Sequence, residues 1–330
     1  MKALKIIGII LVTILALFLV IPLFLASEIS VSEQVTIKAK PVVVFNQVRV
    51  LKNWKNWSPF HAADTAMIQK FTGPEKGVGS KMSWLSKTMG DGTLEITECT
   101  PYTHIKSDLF FQPDQGLAID NWDFEQNGDE VSITWTTTML DLGYPMGRYM
   151  GAMAEFMMKP FMESGLKKLK EYTESLPAPP DVELINVEMV PSLSVFDSTT
   201  VDGIGSMLGE NYGKIMGYMN AKKIPLAGIP FAVYYNWDPN GVIKIRAAIP
   251  ITEKTKGKND VEYFELPAGT ALFVKHFGGY DTSKSHEAIE EYMQDFSITC
   301  DDYIWEVYVT DPTTEPDESK WETDIYYPIK

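Results

Sequence analysis

The stretch that decides the fold of the C-terminal half lies near the end of the chain and reads Trp305-Glu306-Val307-Tyr308-Val309-Thr310-Asp311-Pro312. Its β-branched and aromatic residues predict a strand, and because side chains alternate along a strand, Glu306 and Tyr308 share one face. A carboxylate among aromatic side chains is costly to bury unless it is paired, protonated or bound to a cation. Glu306 is therefore a candidate for the centre of a binding pocket. The alternative is a glutamate on the solvent side of an edge strand.

An earlier segment repeats this pattern. The counterpart of Glu306 to Pro312, with one residue more before Asp-Pro, is Ala232-Val233-Tyr234-Tyr235-Asn236-Trp237-Asp238-Pro239. Each copy is preceded by a strand and an amphipathic helix, from about residue 204 to 221 and from about residue 283 to 296, and each is followed by another strand. Residues from about 182 to 330 are therefore predicted to form two strand–helix–strand–strand units.

The repeat predicts a roughly symmetric pocket. If the two units pack about a pseudo-twofold axis, Tyr234 and Tyr308 face each other and Ala232 takes the place of Glu306. An aromatic pocket with one carboxylate suits a flat or hydrophobic ligand that carries positive charge. Three further aromatic residues are pocket candidates, although the first two fall on the opposite parity of an unbroken strand: Phe231, Trp237 and Tyr280.

This C-terminal region resembles the GyrI-like small-molecule-binding domain, the effector-binding module of multidrug-sensing transcription activators. Besides the Glu306 strand, the resemblance is carried by Lys275-His276-Phe277-Gly278-Gly279-Tyr280 and Thr323-Asp324-Ile325-Tyr326-Tyr327-Pro328-Ile329. It implies that Glu306 lies at the base of a drug pocket with Tyr308 beside it. Family members usually have Thr-Glu where this chain has Thr323-Asp324. Some members are hydrolases in which Glu and Tyr residues activate water, so the resemblance also implies an enzymatic alternative.

The N-terminus carries an uncharged run of 21 residues from Ile6 to Ala26. A helix of about 20 apolar residues spans the hydrocarbon core of a bilayer. Lys2 and Lys5 precede the run and Glu28 follows it, so the positive-inside rule places the N-terminus in the cytoplasm. The globular part is then expected on the periplasmic or extracellular side of the cell membrane. A cleaved signal peptide is the alternative, but the run is long and its exit lacks a small-x-small pattern. We expect residues 1–29 to form an uncleaved transmembrane signal anchor.

The first globular region, residues 30–176, reads as a strand, a short helix, several closely spaced strands and a long helix from about residue 146 to 173. Pro160 is expected to bend or interrupt this helix. One face of the helix carries four methionines: Met146, Met150, Met153 and Met157.

This region resembles bacterial members of the START-like polyketide cyclase/dehydrase (SRPBCC) superfamily. The residues that carry the resemblance are Trp54, Trp57-Ser58-Pro59-Phe60, Gly73, Gly77-Val78-Gly79-Ser80 and Trp84. It implies a helix-grip fold, in which an antiparallel sheet wraps the long helix and leaves an elongated apolar cavity. The cavity-lining candidates, each of which has an ordinary core position as its alternative, are the methionine stripe, Trp84, Phe110, Trp122 and Trp135.

The whole chain is thus expected to be α+β, with an anchor, a helix-grip domain, a proline-rich linker at 177–182 and a GyrI-like domain at 183–330. A net charge of −15 opposes nucleic-acid binding. Two cysteines and four scattered histidines predict no metal site and no cofactor, and glycine-rich phosphate loops and Gly-x-Ser-x-Gly elbows are absent from the sequence. The expected partners are a hydrophobic or cationic small molecule and, through the N-terminal helix, the membrane.

Three functions fit these features. The first is a membrane-anchored binding protein for hydrophobic, cationic ligands, with Glu306 as counter-ion. The second is a hydrolase in which Glu306 is the general base for water and a tyrosine such as Tyr308 assists; no catalytic residue is assigned outside this hypothesis. The third is a structural or lipid-handling protein without a specific ligand.

Overall fold

The computed structural model describes residues 2–112, 116–238, 240–310 and 313–330. The chain divides into two compact units, one that ends at Ala178 and one that begins at Pro179. The Asp-Pro pairs of the repeat lie partly outside the described residues, at Pro239, Asp311 and Pro312. Both units combine helices with one antiparallel sheet, which confirms the predicted α+β class.

The first unit begins with the apolar helix α1 (Lys2–Val20), which a short 3-10 turn extends to Phe24. Residues Leu4–Phe24 form a helix long and apolar enough to cross a membrane. A signal sequence would have the same character, so length and composition identify a candidate anchor and no more.

Seven antiparallel strands form the sheet of the first unit, in the order β1-β7-β6-β5-β4-β3-β2. The strands are β1 (Ile29–Ile37), β2 (Ile68–Thr72), β3 (Lys81–Leu85), β4 (Asp91–Thr100), β5 (His104–Gln112), β6 (Leu117–Asn127) and β7 (Glu130–Met139). The helices are α2 (Pro41–Arg49), α3 (Pro59–Ala63) and α4 (Met146–Glu174). This is the predicted helix grip, with one added edge strand, β2, that sequence patterning did not indicate.

Helix α4 runs alongside β1 in the same direction. Its Lys159 pairs with Glu33 at 3.0 Å, and its Lys170 donates to the Thr36 carbonyl at 2.6 Å. Near the C-terminal end of α4, Glu174 accepts a hydrogen bond from the Lys38 amide. The helix passes through Pro160 without interruption, contrary to one of the two expectations for this residue.

Tryptophan rings fill the space between this sheet and α4. Trp122 and Trp135 stack with ring centroids 4.5 Å apart, and Trp54 and Trp57 pack edge-on against Trp122. All four rings are fully buried. Trp122 and Trp135 are therefore core residues, as the alternative to a cavity lining predicted. The four methionines of the predicted stripe, from Met146 to Met157, are exposed.

The second unit has an eight-stranded sheet in the order β12-β9-β11-β10-β14-β15-β13-β8. Its strands are β8 (Val182–Val187), β9 (Val190–Thr199), β10 (Phe231–Tyr234), β11 (Ile243–Pro250), β12 (Glu262–Leu266), β13 (Gly269–Phe277), β14 (Ile304–Tyr308) and β15 (Glu322–Pro328). Its helices are α5 (Ile204–Lys222) and α6 (Ser283–Phe296). The predicted repeat is present as β9-α5-β10-β11 and β13-α6-β14-β15.

The two repeats meet at the centre of the sheet, where β10 and β14 pair antiparallel with Ala232 opposite Glu306. Each repeat also lends an edge strand to the other, because β8 pairs with β13 and β12 with β9. Helix α5 buries Leu208, Ile215 and Met219. On α6, Ile289 is buried, whereas Phe296 lies in the last turn and is exposed.

Candidate functional site

A chain of hydrogen bonds ends on the carboxylate of Glu306. Strand alternation and the β10–β14 pairing place Glu306, Tyr308 and Tyr234 on one face of the sheet. The Tyr308 hydroxyl donates to Glu306 Oε2 at 3.1 Å, and the hydroxyls of Tyr234 and Tyr308 are 2.7 Å apart. Since a tyrosine has one hydroxyl proton and Tyr308 gives it to Glu306, Tyr234 is the donor to Tyr308.

These three side chains lie in a largely dry environment. Glu306 is 8% exposed, and Tyr234 is also buried. Burial, reinforced by the nearby Glu306 charge, raises the pKa of Tyr234 and of Tyr308 well above the usual tyrosine value. Both tyrosines therefore remain neutral phenols at physiological pH and keep the proton that the carboxylate needs.

The second partner of Glu306 is His286, from helix α6. Its Nε2 lies 3.2 Å from Glu306 Oε1 and 3.1 Å from Thr282 Oγ1, and its Nδ1 lies 2.9 Å from the Tyr327 hydroxyl. A ring with its proton on Nε2 donates to Glu306 while Tyr327 donates to Nδ1. His286 is therefore the second hydrogen-bond donor to the buried Glu306 carboxylate.

Sequence reasoning treated His286 as one of four scattered histidines and missed this role. The available signal was helical spacing, because His286 precedes the buried Ile289 by three positions and so lies on the same face of α6.

Tyr212 of α5 adds a free polar group to this region. Its hydroxyl is buried and has no hydrogen-bond partner among the described residues. Burial first, and then the charge of Glu306, raise its pKa. A buried hydroxyl without a partner is a group that a ligand or a water molecule can satisfy.

The remaining predicted pocket residues divide into two groups. Tyr280 lies at the rim, where its exposed ring meets Tyr308 edge-on at 6.2 Å and packs on Trp321 at 5.3 Å. Phe231 is buried on the opposite face of β10, in a core shared with Val233. Trp237 follows the end of β10 and is 64% exposed. The structure thus brings Glu306, Tyr308, Tyr234 and Tyr280 together. It places Phe231 on the opposite face, as its parity in β10 indicates, and Trp237 beyond the end of that strand.

A metal site is not formed by the side chains that the structure describes: none of their His, Cys, Asp and Glu groups make a cluster of three or more suited to an ion. Cys99 and Cys300 are not joined by a disulfide bond. The Glu306 site brings together one carboxylate, one imidazole and several phenols.

Both units are similar to known families of domains. Residues 28–174 match the family described as polyketide cyclase / dehydrase and lipid transport. Residues 196–330 match the GyrI-like small molecule binding domain. The chain carries these two domains in this order, as both resemblances predicted.

Several solved structures are similar to parts of this chain at low identity. The cryo-EM structure of an EcmrR–DNA complex is 15% identical, with a TM-score of 0.44 over 56% of this chain and 70% of that one. The crystal structure of the EcmrR C-terminal domain is 16% identical, with a TM-score of 0.40 over 46% of this chain and 98% of that one. Protein CV1439 from Chromobacterium violaceum is 16% identical, with a TM-score of 0.35 over 44% of this chain and 99% of that one. No curated protein matches this chain.

Proposed function

We propose that this protein is a membrane-anchored binding protein that captures hydrophobic cations in its GyrI-like domain. Both of its domains belong to small-molecule-binding families, which supports ligand binding in general. The observation that carries the proposal is the buried carboxylate of Glu306, set among the phenol rings of Tyr234 and Tyr308. A buried anion bordered by aromatic faces favours a ligand that is both apolar and positively charged.

The internal contact with His286 determines how such a ligand would bind. Glu306 Oε1 faces the imidazole and Oε2 faces Tyr308, so both carboxylate oxygens have a donor before a ligand arrives. A cation near Oε1 competes with His286 for this oxygen, whereas Tyr308 can keep its bond to Oε2. Tyr280 at the rim then offers an aromatic surface to the exposed side of the ligand.

The anchoring part of the proposal rests on α1. Its apolar segment Leu4–Phe24 is long enough to span a bilayer, with Lys2 and Lys5 at its start and Glu28 after its end. In this arrangement the N-terminus is cytoplasmic, and both domains are on the periplasmic or extracellular side of the cell membrane.

The ligand proposal is tested with two ions of the same shape and opposite charge. Full-length protein in nanodiscs is titrated with tetraphenylphosphonium and with tetraphenylborate, and its unfolding is followed in each. A ligand at 100 times its Kd stabilises the folded state by about 2.7 kcal/mol, enough to shift the unfolding midpoint measurably. We expect stabilisation by the phosphonium alone, and its loss in Glu306→Gln.

The matched control is Asp324→Asn, since Asp324 is a half-buried carboxylate on the neighbouring strand β15. It pairs with Val307, so it lies on the opposite face of the sheet from Glu306. This variant should bind the cation as the parent does. Equal stabilisation by both ions, or loss of binding in both variants, would contradict a site centred on Glu306.

A hydrolase is the second candidate, and the contact between His286 and Glu306 favours it. A carboxylate with an imidazole at 3.2 Å and a phenol at 3.1 Å contains the groups of a general acid–base site. If this function holds, an apolar ester or epoxide incorporates ¹⁸O from labelled water in the presence of the protein. The incorporation should then stop in Glu306→Gln and persist in Asp324→Asn.

A further inference from the structure

The first half of α4 exposes a continuous apolar surface, which we call the methionine face. Its exposed fractions range from 56% to 81%, the highest being that of Phe156, and its members are Met146, Met150, Met153, Phe156 and Met157. The four methionines recur at spacings of three and four residues, so they lie along one side of the helix. Large apolar side chains clustered on a surface indicate a partner that covers them.

The methionine face begins beside the candidate anchor. Tyr149 donates to the Phe18 carbonyl at 3.2 Å and stacks on the Phe18 ring at 5.5 Å. Arg148 donates to the Pro22 carbonyl at 2.9 Å, and Tyr144 donates to the Leu19 carbonyl. Phe18 lies roughly 9 Å along the helix from the end of the candidate span. The start of α4 is therefore at the depth of the last turns of α1.

The rest of α4 extends away from the anchor. Strand β1 starts at Ile29, shortly after α1, and α4 follows it so that Lys159 meets Glu33 and Lys170 meets Thr36. The methionine face thus occupies the half of α4 nearest to α1.

The sequence of α4 changes character at the same point. Between Met146 and Met158 the charged residues are Arg148 and Glu155, whereas seven charged residues follow from Lys159 to Glu174: Lys159, Glu163, Lys167, Lys168, Lys170, Glu171 and Glu174. An apolar half next to the anchor and a charged half beyond it match a helix that leaves an apolar phase and enters water.

We propose that the methionine face is buried in the lipid interface of the same bilayer that α1 crosses. This inference rests on the proposed anchoring. Tyr144, Arg148 and Tyr149 are residue types favoured at the boundary between headgroups and acyl chains, and they hold α4 to α1 at that level. Methionine side chains are flexible enough to fit a fluid acyl environment. The polyketide cyclase/dehydrase domain is therefore held against the membrane by two elements, the span and the methionine face.

Site-specific fluorescence tests this arrangement in the full-length chain. Cys99 and Cys300 are replaced by alanine, a single cysteine is introduced by Phe156→Cys or Met150→Cys, and the purified protein is labelled with the polarity-sensitive dye NBD. The protein is reconstituted into phosphatidylcholine vesicles with and without doxyl-labelled phosphatidylcholine. Both positions are exposed, so neither substitution removes a core contact.

Asp129→Cys is the matched control. Asp129 lies in the exposed turn between β6 and β7, next to the end of β1 at Ile37. This end of β1 is eight residues, or roughly 26 Å, from Ile29, where the strand leaves α1. We expect a blue-shifted dye at 156 and at 150, quenched by doxyl lipid at least about twofold more than the dye at 129.

Extraction with alkaline carbonate separates this inference from the anchoring on which it rests. Protein that stays in the vesicles while the dyes at 156 and 150 behave like the dye at 129 would overturn the inference and leave the anchor intact. Release of the protein by carbonate would overturn both. A second copy of the chain is the other possible cover. Oxidative cross-linking of the unlabelled Phe156→Cys variant into dimers, together with an unquenched dye in the labelled variant, would show this and overturn the inference.

Discussion

Two side chains, Tyr308 and His286, contact different oxygens of the Glu306 carboxylate. The Tyr308 phenol is neutral at physiological pH, because burial and the carboxylate raise its pKa. The second donor, Nε2 of the His286 imidazole, faces Oε1. A cation that approaches Oε1 therefore displaces the imidazole of His286. The phenol of Tyr308 keeps its hydrogen bond to Oε2.

The substitution His286→Leu separates these two partners. It leaves a buried carboxylate with one donor fewer, which should cost about 1–3 kcal/mol of unfolding free energy. The affinity for tetraphenylphosphonium should hold or rise, since the internal competitor for Oε1 is gone. Denaturant unfolding and cation titration of the same sample measure both effects.

The matched control is His276→Leu, because His276 contacts Ser285 and the Gly279 carbonyl and not Glu306. Its cation affinity should equal that of the parent. If His286→Leu abolished binding as fully as Glu306→Gln, the imidazole itself would be the ligand contact and competition would be ruled out.

Asp120 predicts a pH dependence in the first unit. Burial raises its pKa from 3.8 to about 6, opposed in part by the hydrogen bond from Thr137. Because folding raises this pKa, the contribution of Asp120 to the free energy of unfolding is full below pH about 4 and is lost as the pH rises through about 6. The loss totals about 3 kcal/mol. Asp120→Asn should remove this dependence and be the more stable protein at pH 7.5.

Urea unfolding of parent and variant at pH 4 and pH 7.5 measures the difference. Asp123→Asn, three residues along β6 at an exposed position paired with His104, should follow the parent at both values. A parent and an Asp120→Asn variant with parallel pH profiles would show that Asp120 has an ordinary pKa in the folded state.

Strand alternation, together with the internal repeat, was enough to predict Glu306, Tyr308 and Tyr234 as neighbours. His286 and Tyr212 were not predicted, because their contribution depends on how α6 and α5 rotate and slide on the sheet. Helical spacing shows which residues face inward, but it does not show which strand residue each one meets.

Among the secondary-structure elements, two helices show opposite uses of glycine. On α4, a Cβ at Gly165 would lie 2.7 Å from the ring of Pro59, so the glycine permits α3 and α4 to approach closely. On α5, Gly213 is exposed and a Cβ there would have no atom within 4 Å. The first glycine is required by packing, and the second carries only the entropic cost of glycine in a helix.

Alanine at each position should therefore change stability in opposite directions. Gly165→Ala should destabilise by about 1–3 kcal/mol through overpacking. Gly213→Ala should stabilise by about 0.5–1 kcal/mol. Denaturant unfolding of both variants and the parent gives the comparison, and a loss of stability in Gly213→Ala would indicate a contact on that face of α5.

Strongly patterned elements were predicted closely, as the bounds of α4 show. Strand β2 was missed because it is an edge strand with mostly exposed side chains and no alternation to detect. Pro160 does not interrupt α4. It removes the helical hydrogen bond to the Phe156 carbonyl, but both residues are on the exposed side of the helix. The exchange of β8 and β12 between the repeats involves contacts distant in sequence, which no local pattern specifies.

For the whole molecule, the decisive question is whether α1 stays attached. We expect protein recovered from membranes to have the intact mass of the full chain, since the exit of the span lacks a small-x-small pattern. The matched control is Phe24→Ala, which creates such a pattern before Ser27 and should yield a shortened chain. Intact mass spectrometry measures both. A parent chain that begins after Ala26 would show that α1 is a signal peptide.

The pairing of Ala232 with Glu306 has a consequence for the architecture. Residues directly opposite on antiparallel strands have Cβ atoms about 5 Å apart, so two glutamates at this place would repel each other in a buried setting. A homodimer of single repeats could not avoid this, because its twofold axis would give both copies the same residue. Two repeats joined in one polypeptide can differ at this position. Joining the two repeats in one chain thus allows a single carboxylate, that of Glu306, beside the pseudo-twofold axis.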